Sequence, residues 1–241
     1  MKKYNKPFVP KGRNSLPKEL IQFGRHLVYS EGTKTEPYYV DDIKECISKK
    51  YNCQPNEIEI ITVNKEKKSF NTISVVESAE NVVRERLKMK EKIDHVWIFY
   101  DKDSFPKDNF DNANQMINEK NDSKEKNIDG FNYEEKTSIS WHSCWSNEAF
   151  ELWLYLYFNY QEAALNRDQY IDKINRIHQL KKIGFNYEKN KEHIHQIFTN
   201  NGGSINKAIR NAKKLTKNGL NNPSTGVFLF GEYFEKYMNK D

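Results

Sequence analysis

Val96-Trp97-Ile98-Phe99-Tyr100-Asp101-Lys102-Asp103-Ser104 says most about how the chain folds. It is an apolar, β-prone run that ends abruptly in two carboxylates two residues apart. A strand buried in a parallel sheet reads as a short continuous apolar run of this kind. In open α/β sheets, ligands bind just beyond the carboxyl ends of the strands. Asp101 and Asp103 are therefore expected at the rim of a sheet, close together and on one side. Two carboxylates that close repel unless a cation or a proton lies between them. Two readings stand at this point: turn residues after a strand, where Asp is common, or half of a metal site.

Earlier in the chain, Arg25-His26-Leu27-Val28-Tyr29 reads as the first strand. It runs into Ser30-Glu31-Gly32-Thr33-Lys34-Thr35-Glu36-Pro37. Gly32 permits a tight turn. Thr35 suits an N-cap, with Glu36 and Pro37 in the first turn of a helix over 36–50. Glu31 then lies at the carboxyl end of a strand, on the same rim as Asp101. Glu36 is explained by the preference of acids for helix N-termini. A strand is expected over 57–63, a surface helix over 72–92 and a polar helix over 111–126. Another strand is expected over 138–144. Strands and helices in alternation predict an α/β fold with a mainly parallel sheet.

Ser146-Asn147-Glu148-Ala149-Phe150-Glu151-Leu152-Trp153-Leu154-Tyr155-Leu156-Tyr157-Phe158 reads as a helix capped by Ser146. It is apolar almost all round and so is expected to be buried. Glu151 is its anomaly, because a lone ionised carboxylate is costly to bury. Its partner is either an Arg or Lys from elsewhere or a metal ion at the rim, and its place soon after a strand favours the rim. From 161 onward the pattern is helical, with helices expected over 168–181, 187–198 and 204–217 and a final amphipathic helix after Asn222-Pro223-Ser224-Thr225. This divides the chain into a basic flexible arm (1–20), an α/β domain (21–160) and a helical extension packed on it (161–241). The helix over 204–217 carries Lys207, Arg210, Lys213, Lys214 and Lys217. It is the candidate surface for a phosphate backbone, and a solvated charged face explains it equally well.

The 241 residues suffice for one large or two small domains with a real core. Lys and Arg number 39 against 34 Asp and Glu, a mildly basic balance that fits a nucleic-acid partner without demanding one. Cys46, Cys53 and Cys144 have no paired spacing, so a reducing, cytoplasmic setting is expected. The first residues are basic without an apolar segment and do not read as a secretory signal. No stretch approaches the length of a membrane span. His142-x-Cys144 and His193-x-His195 make no zinc pattern. There is no Gly-x-x-x-x-Gly-Lys-Ser/Thr loop, so any ATPase function belongs to another protein.

The acids Glu31, Asp101, Asp103 and Glu151 form an oxygen-only set, which selects Mg²⁺ or Mn²⁺. One or two such ions can activate water and stabilise the leaving oxygen in phosphodiester cleavage. Lys34 and Lys102, beside the acids, can neutralise the growing phosphate charge. An acid after the first strand paired with a later Asp-x-Asp resembles the Toprim domain of topoisomerases, primases and OLD-type nucleases. Tyr29 to Tyr39 is similar to the Glu-Gly-x-x-Thr-Glu-Pro opening of RloB-like proteins. Trp97 to Phe105 resembles their Asp-x-Asp block, and Ser146-Asn147-x-x-Phe150-Glu151-Leu152-Trp153 their Ser-Asn-Pro-x-Phe-Glu-Leu-Trp helix. Asn222-Pro223-Ser224-Thr225 resembles their C-terminal segment. Glu148 stands where that family usually has Pro, and Tyr157 where many members have His; Tyr157 is read as packing.

The resemblance implies a Toprim-like, Mg²⁺-dependent nuclease of bacterial antiphage defence, of the abortive-infection kind, acting on RNA (tRNA among the candidates) or DNA. It implies an ATPase partner encoded by a neighbouring gene, and a homo-oligomer is also compatible. Glu31 would be the general acid or base, Asp101 and Asp103 would hold the metal, and Glu151 would complete or support the site. The alternative is a non-catalytic metal-binding effector or binding module of a defence complex. A nucleotidyl-transfer role like that of Toprim primases ranks last, since no added zinc module is evident.

Overall fold

The computed structural model describes residues 24–51, 58–62, 72–102, 107–122, 127–128, 131–132, 139–219 and 221–238. The expected basic arm and Asp103 lie outside the described residues. In chain order the elements are β1 (His26–Ser30), α1 (Thr35–Tyr51), β2 (Ile58–Thr62), α2 (Thr72–Lys88), β3 (His95–Asp101) and α3 (Lys107–Asp122). A small ribbon of β4 (Asn127–Ile128) and β5 (Phe131–Asn132) follows, then β6 (Ser140–Asn147) and α4 (Glu151–Leu156). The remainder is α5 (Arg167–Asn175), α6 (His178–Lys182), α7 (Ile194–Asn200), α8 (Ile205–Lys217), β7 (Ser224–Thr225) and α9 (Phe228–Met238).

The main sheet has the order β2-β1-β3-β6-β7. β1, β2, β3 and β6 are parallel, and β7 pairs antiparallel to β6. The chain is α/β, as its strand–helix alternation predicts. Every residue of β1 is buried, as is every residue of β3 after His95, which is what a parallel sheet covered on both faces requires. Alternation along the strands divides the core in two. Leu27, Tyr29, Val96, Ile98 and Tyr100 pack with Val75, Val76, Ala79 and Val83 of α2 and Ala113 and Ile117 of α3. Val28, Trp97 and Phe99 face the other way, onto Tyr39, Val40 and Ile43 of α1, Leu152 to Leu156 of α4, and Phe230 and Phe234 of α9. Each such large apolar side chain contributes roughly 1.5–3 kcal/mol by leaving water.

Three local expectations change. Ser146 does not cap a helix: β6 runs on through Asn147, and Ser146 and Asn147 pair with Thr225 and Ser224 of β7. The helical C-terminal part thus also supplies a strand to the sheet. The helix expected over 168–181 is two helices, because Ile177 turns extended and buries its side chain between them. The helix expected from Tyr187 begins only at Ile194. Tyr187 is itself buried, and its peptide N–H is held by Asn175 Oδ1 at 2.7 Å.

Candidate functional site

The order β2-β1-β3 means that the chain leaves β1 in one direction to reach β2 and returns to its other side for β3. Such a reversal opens a crevice at the carboxyl ends of the two strands, where open α/β sheets bind ligands. Glu31 follows β1 there, with its peptide N–H on the Phe99 carbonyl of β3 at 3.0 Å. Asp101 is the last residue of β3 and is buried. On alternation it shares a face with Phe99, the face covered by α4. Glu151 begins α4 and is 2% exposed.

Arg167, the first residue of α5, joins these elements. Its Nη2 donates to Asp101 Oδ2 at 2.7 Å, and its Nε donates to Glu151 Oε2 at 3.4 Å. The Tyr187 hydroxyl donates to the other oxygen of Glu151 at 3.1 Å. Burial, then the Glu151 charge, pushes the Tyr187 phenol well up, so it stays a donor. Thr35, expected as an N-cap, instead is the first residue of α1 and donates its hydroxyl to the Lys189 carbonyl at 2.9 Å. That contact holds the segment bearing Tyr187 against the start of α1.

Glu36 also belongs to the site. It is 8% exposed and folds back over the turn, where a Cβ on residue 32 would collide with its carboxylate. With a side chain at position 32 the Glu36 carboxylate would have to move from this place. Burial pushes the Glu36 carboxyl up to about 7. Its own peptide N–H and Arg167 oppose the rise, while Glu151 and Glu31 add to it. Asp101 and Glu151 thus share one guanidinium, Glu36 lies within its field, and Glu31 adds its charge beside Glu36, so acids outnumber the cation.

The sequence places Glu36 as a helix-start acid and leaves Glu151 either an unnamed Arg or Lys or, as the favoured reading, a metal ion at the rim; in the structure the partner is an arginine, Arg167. Arg167 had a readable signal. A cation in the first turn of a helix opposes the helix dipole, and Asn166-Arg167-Asp168-Gln169 is a capping box that fixes that turn. Tyr187 had no signal, since it acts from a loop.

Lys34 is exposed in the turn between β1 and α1, and Lys102 is half-buried directly after Asp101. The basic residues of α8 lie elsewhere. Lys207 donates to the Phe158 carbonyl and Asn211 to that of Leu156, at the far end of α4 from Glu151. Lys213 pairs with Glu232, Lys214 lies 4.1 Å from the centre of the Tyr160 ring, and Arg210 is exposed. The structure thus does not bring Lys207, Arg210, Lys213 and Lys214 together with the acids. Tyr157 is buried, as its reading as packing implies, and its hydroxyl bonds both Tyr39 Oη at 2.7 Å and His195 Nδ1 at 2.8 Å.

Among the described residues, the three potential metal-ligating side chains whose donor atoms all lie within 4.8 Å of one another are Asp42, Glu45 and His193. Its geometry has a structural cause. His193 precedes α7 in a left-handed conformation with no side-chain cap, and Asp42 accepts the Gln196 peptide N–H at 3.0 Å in its stead. Glu45 accepts from His193 at 2.9 Å. No helix among the described residues is long and apolar enough to cross a membrane.

Neither the curated proteins nor the solved structures gave a match to the chain. The family model described as RloB-like protein matches residues 26–232, from the first residue of β1 into α9, and the chain belongs to that family.

Proposed function

We propose that the chain is a Mg²⁺- or Mn²⁺-dependent nuclease of the Toprim type, cleaving phosphodiester bonds in RNA or DNA as a cytoplasmic effector of bacterial antiphage defence. The observation that carries this is the acidic rim at the β1–β3 crevice with the Arg167 guanidinium held across it. The donor set fits a hard divalent ion. It is all oxygen, and the Arg167 guanidinium on Asp101 and Glu151 is a stand-in cation. Glu31, Asp101 and Glu151 would hold the ion, with Asp103 the remaining acid of the sequence motif. When bound, such an ion supplies a water of lowered pKa and charge stabilisation for the leaving oxygen.

The chain's own groups do the rest. Lys34 and Lys102 flank the acids and attract a phosphate backbone toward them. Glu36, with a pKa of about 7, can hold or release a proton at neutral pH. Tyr187 fixes the orientation of Glu151 through its hydroxyl. An ATPase partner and self-association belong to the same proposal. The pairing of Asp101 and Glu151 through Arg167 favours one second reading, a non-catalytic module whose acids form an ion-pair network.

The test is cleavage of tRNA and plasmid in Mg²⁺ by the purified protein, with and without the product of a neighbouring ATPase gene. Glu31→Gln and Asp101→Asn serve as controls. Cleavage lost in both variants supports the nuclease. Equal cleavage by wild type and variants removes the assignment, and partner binding with no cleavage under any condition favours the second reading.

A further inference from the structure

The inference drawn here rests on the metal reading of the rim and concerns how that site is kept from loading. Arg167 touches acids on two different elements, Asp101 at the end of β3 and Glu151 at the start of α4. These are two of the oxygens a divalent ion needs. Among the described residues the rim acids do not supply three donor atoms mutually within 4.8 Å, whereas Asp42, Glu45 and His193 do. The rim is therefore spaced for a guanidinium rather than closed on an ion.

Arg167 is also built to leave. Its side chain is 26% exposed, against 10% for Asp101 and 2% for Glu151. The chain leading into it is exposed at Asn159, Glu162, Ala163, Ala164 and Asn166. As the first residue of α5 its charge is repelled by the helix dipole. The α5 cap uses the Asn166 and Gln169 side chains and does not need that of Arg167. Glu151 stays in place without it, because Tyr187 holds the other oxygen.

We infer that Arg167 is an internal counter-cation that competes with the divalent metal for Asp101 and Glu151, so that the site loads only when the guanidinium swings out. The apo protein is held together at the rim by its own arginine, and a metal or a partner that draws Arg167 outward opens the site. A phosphate of the substrate is a ready acceptor for the displaced guanidinium, since Arg matches phosphate as well as carboxylate.

The experiment is calorimetric titration of the full chain with Mn²⁺ alone, comparing wild type, Arg167→Gln and Arg167→Lys, with circular dichroism to verify folding. Removing a competitor held by charge-assisted hydrogen bonds tightens binding by about tenfold or more in Arg167→Gln. Arg167→Lys keeps the charge but not the fork and falls between. Equal or weaker binding by folded Arg167→Gln, with wild type still binding, overturns the competition and leaves the metal site standing. If neither protein binds Mn²⁺, the metal reading falls and this inference with it. A second measurement needs no folded variant of altered charge. In wild-type protein, saturating Mg²⁺ shifts the Arg167 Nε–H resonance, and an unmoved resonance overturns the proposal.

Discussion

Replacing Glu36 with Gln stabilises the apo protein at alkaline pH, and the gain vanishes in acid. Glu36 is 8% exposed, and its carboxyl climbs from the ordinary 4.5 to about 7 on folding, chiefly through burial, with Glu151 and Glu31 adding repulsion. A carboxyl with a raised folded pKa binds its proton more tightly when folded. Between pH 4.5 and about 7 the folded chain holds more protons than the unfolded one, so stability falls as pH rises. Each pKa unit is worth ~1.4 kcal/mol, so the full cost above pH 7 is about 3 kcal/mol. Gln keeps the shape and the acceptor oxygen for the residue's own peptide N–H without the charge. The assay is urea unfolding of both proteins from pH 4.5 to 8.5 without metal. Glu36→Gln should match wild type near pH 4.5 and exceed it by about 3 kcal/mol at pH 8. Comparing the two cancels the opposite slope of buried histidines. A difference that is independent of pH, or a variant less stable than wild type at pH 8, refutes this account of the rim.

Four further outcomes are expected. His142 and His195 have pKa values lowered to about 4, mainly by burial. In a Glu36→Gln background, stability should therefore fall as pH drops from 6.5 toward 4, where the unfolded chain takes up protons the folded one refuses; acid melts check this, and a flat profile counts against it. Tyr157→Phe leaves Tyr39 Oη and His195 Nδ1 without their shared partner, costing roughly 1–3 kcal/mol in thermal unfolding. Phe230→Ala opens a cavity against Trp97, Phe99 and Tyr39 and should cost about 3–5 kcal/mol by urea unfolding. On the proposed nuclease reading, Lys34→Ala and Lys102→Ala should each lower nucleic-acid affinity and flatten its salt dependence by about one charge. Lys213→Ala, already paired with Glu232, should leave both nearly unchanged in the same filter-binding titration.

The parallel sheet was legible because burial on both faces leaves continuous apolar runs such as Val96 to Tyr100, and crossovers leave helical periods between them. Asp101 and Glu31 could be placed because strand ends are local features. Glu151 was legible as a contradiction, a charge in an apolar helix. Its partner was not named because Arg167 lies beyond a loop and reaches the rim only in three dimensions. Glu36 was hidden by a sufficient local explanation. An acid in the first turn of a helix needs no other reason, and only the folding of its side chain over Gly32 reveals one. Ser146 was misplaced because a strand end and a helix cap favour the same residue; the antiparallel pairing with Thr225, distant in sequence, decides between them. Tyr187 acts across a long loop, where no period guides inference.

The pairing of β6 with β7 has a consequence for synthesis. One face of the sheet, carrying Val28, Trp97 and Phe99, is covered in part by Phe230 and Phe234. Those residues are translated some two hundred positions after β1. Contacts of such wide separation are slow to form and leave apolar surface bare meanwhile. A nascent chain therefore already carries Glu31 and Asp101 while its sheet still lacks a strand and a lid of aromatic rings. Assembly of the rim is thereby tied to late translation, and a truncated product ending before Ser224 would have the acids without the scaffold that aims them.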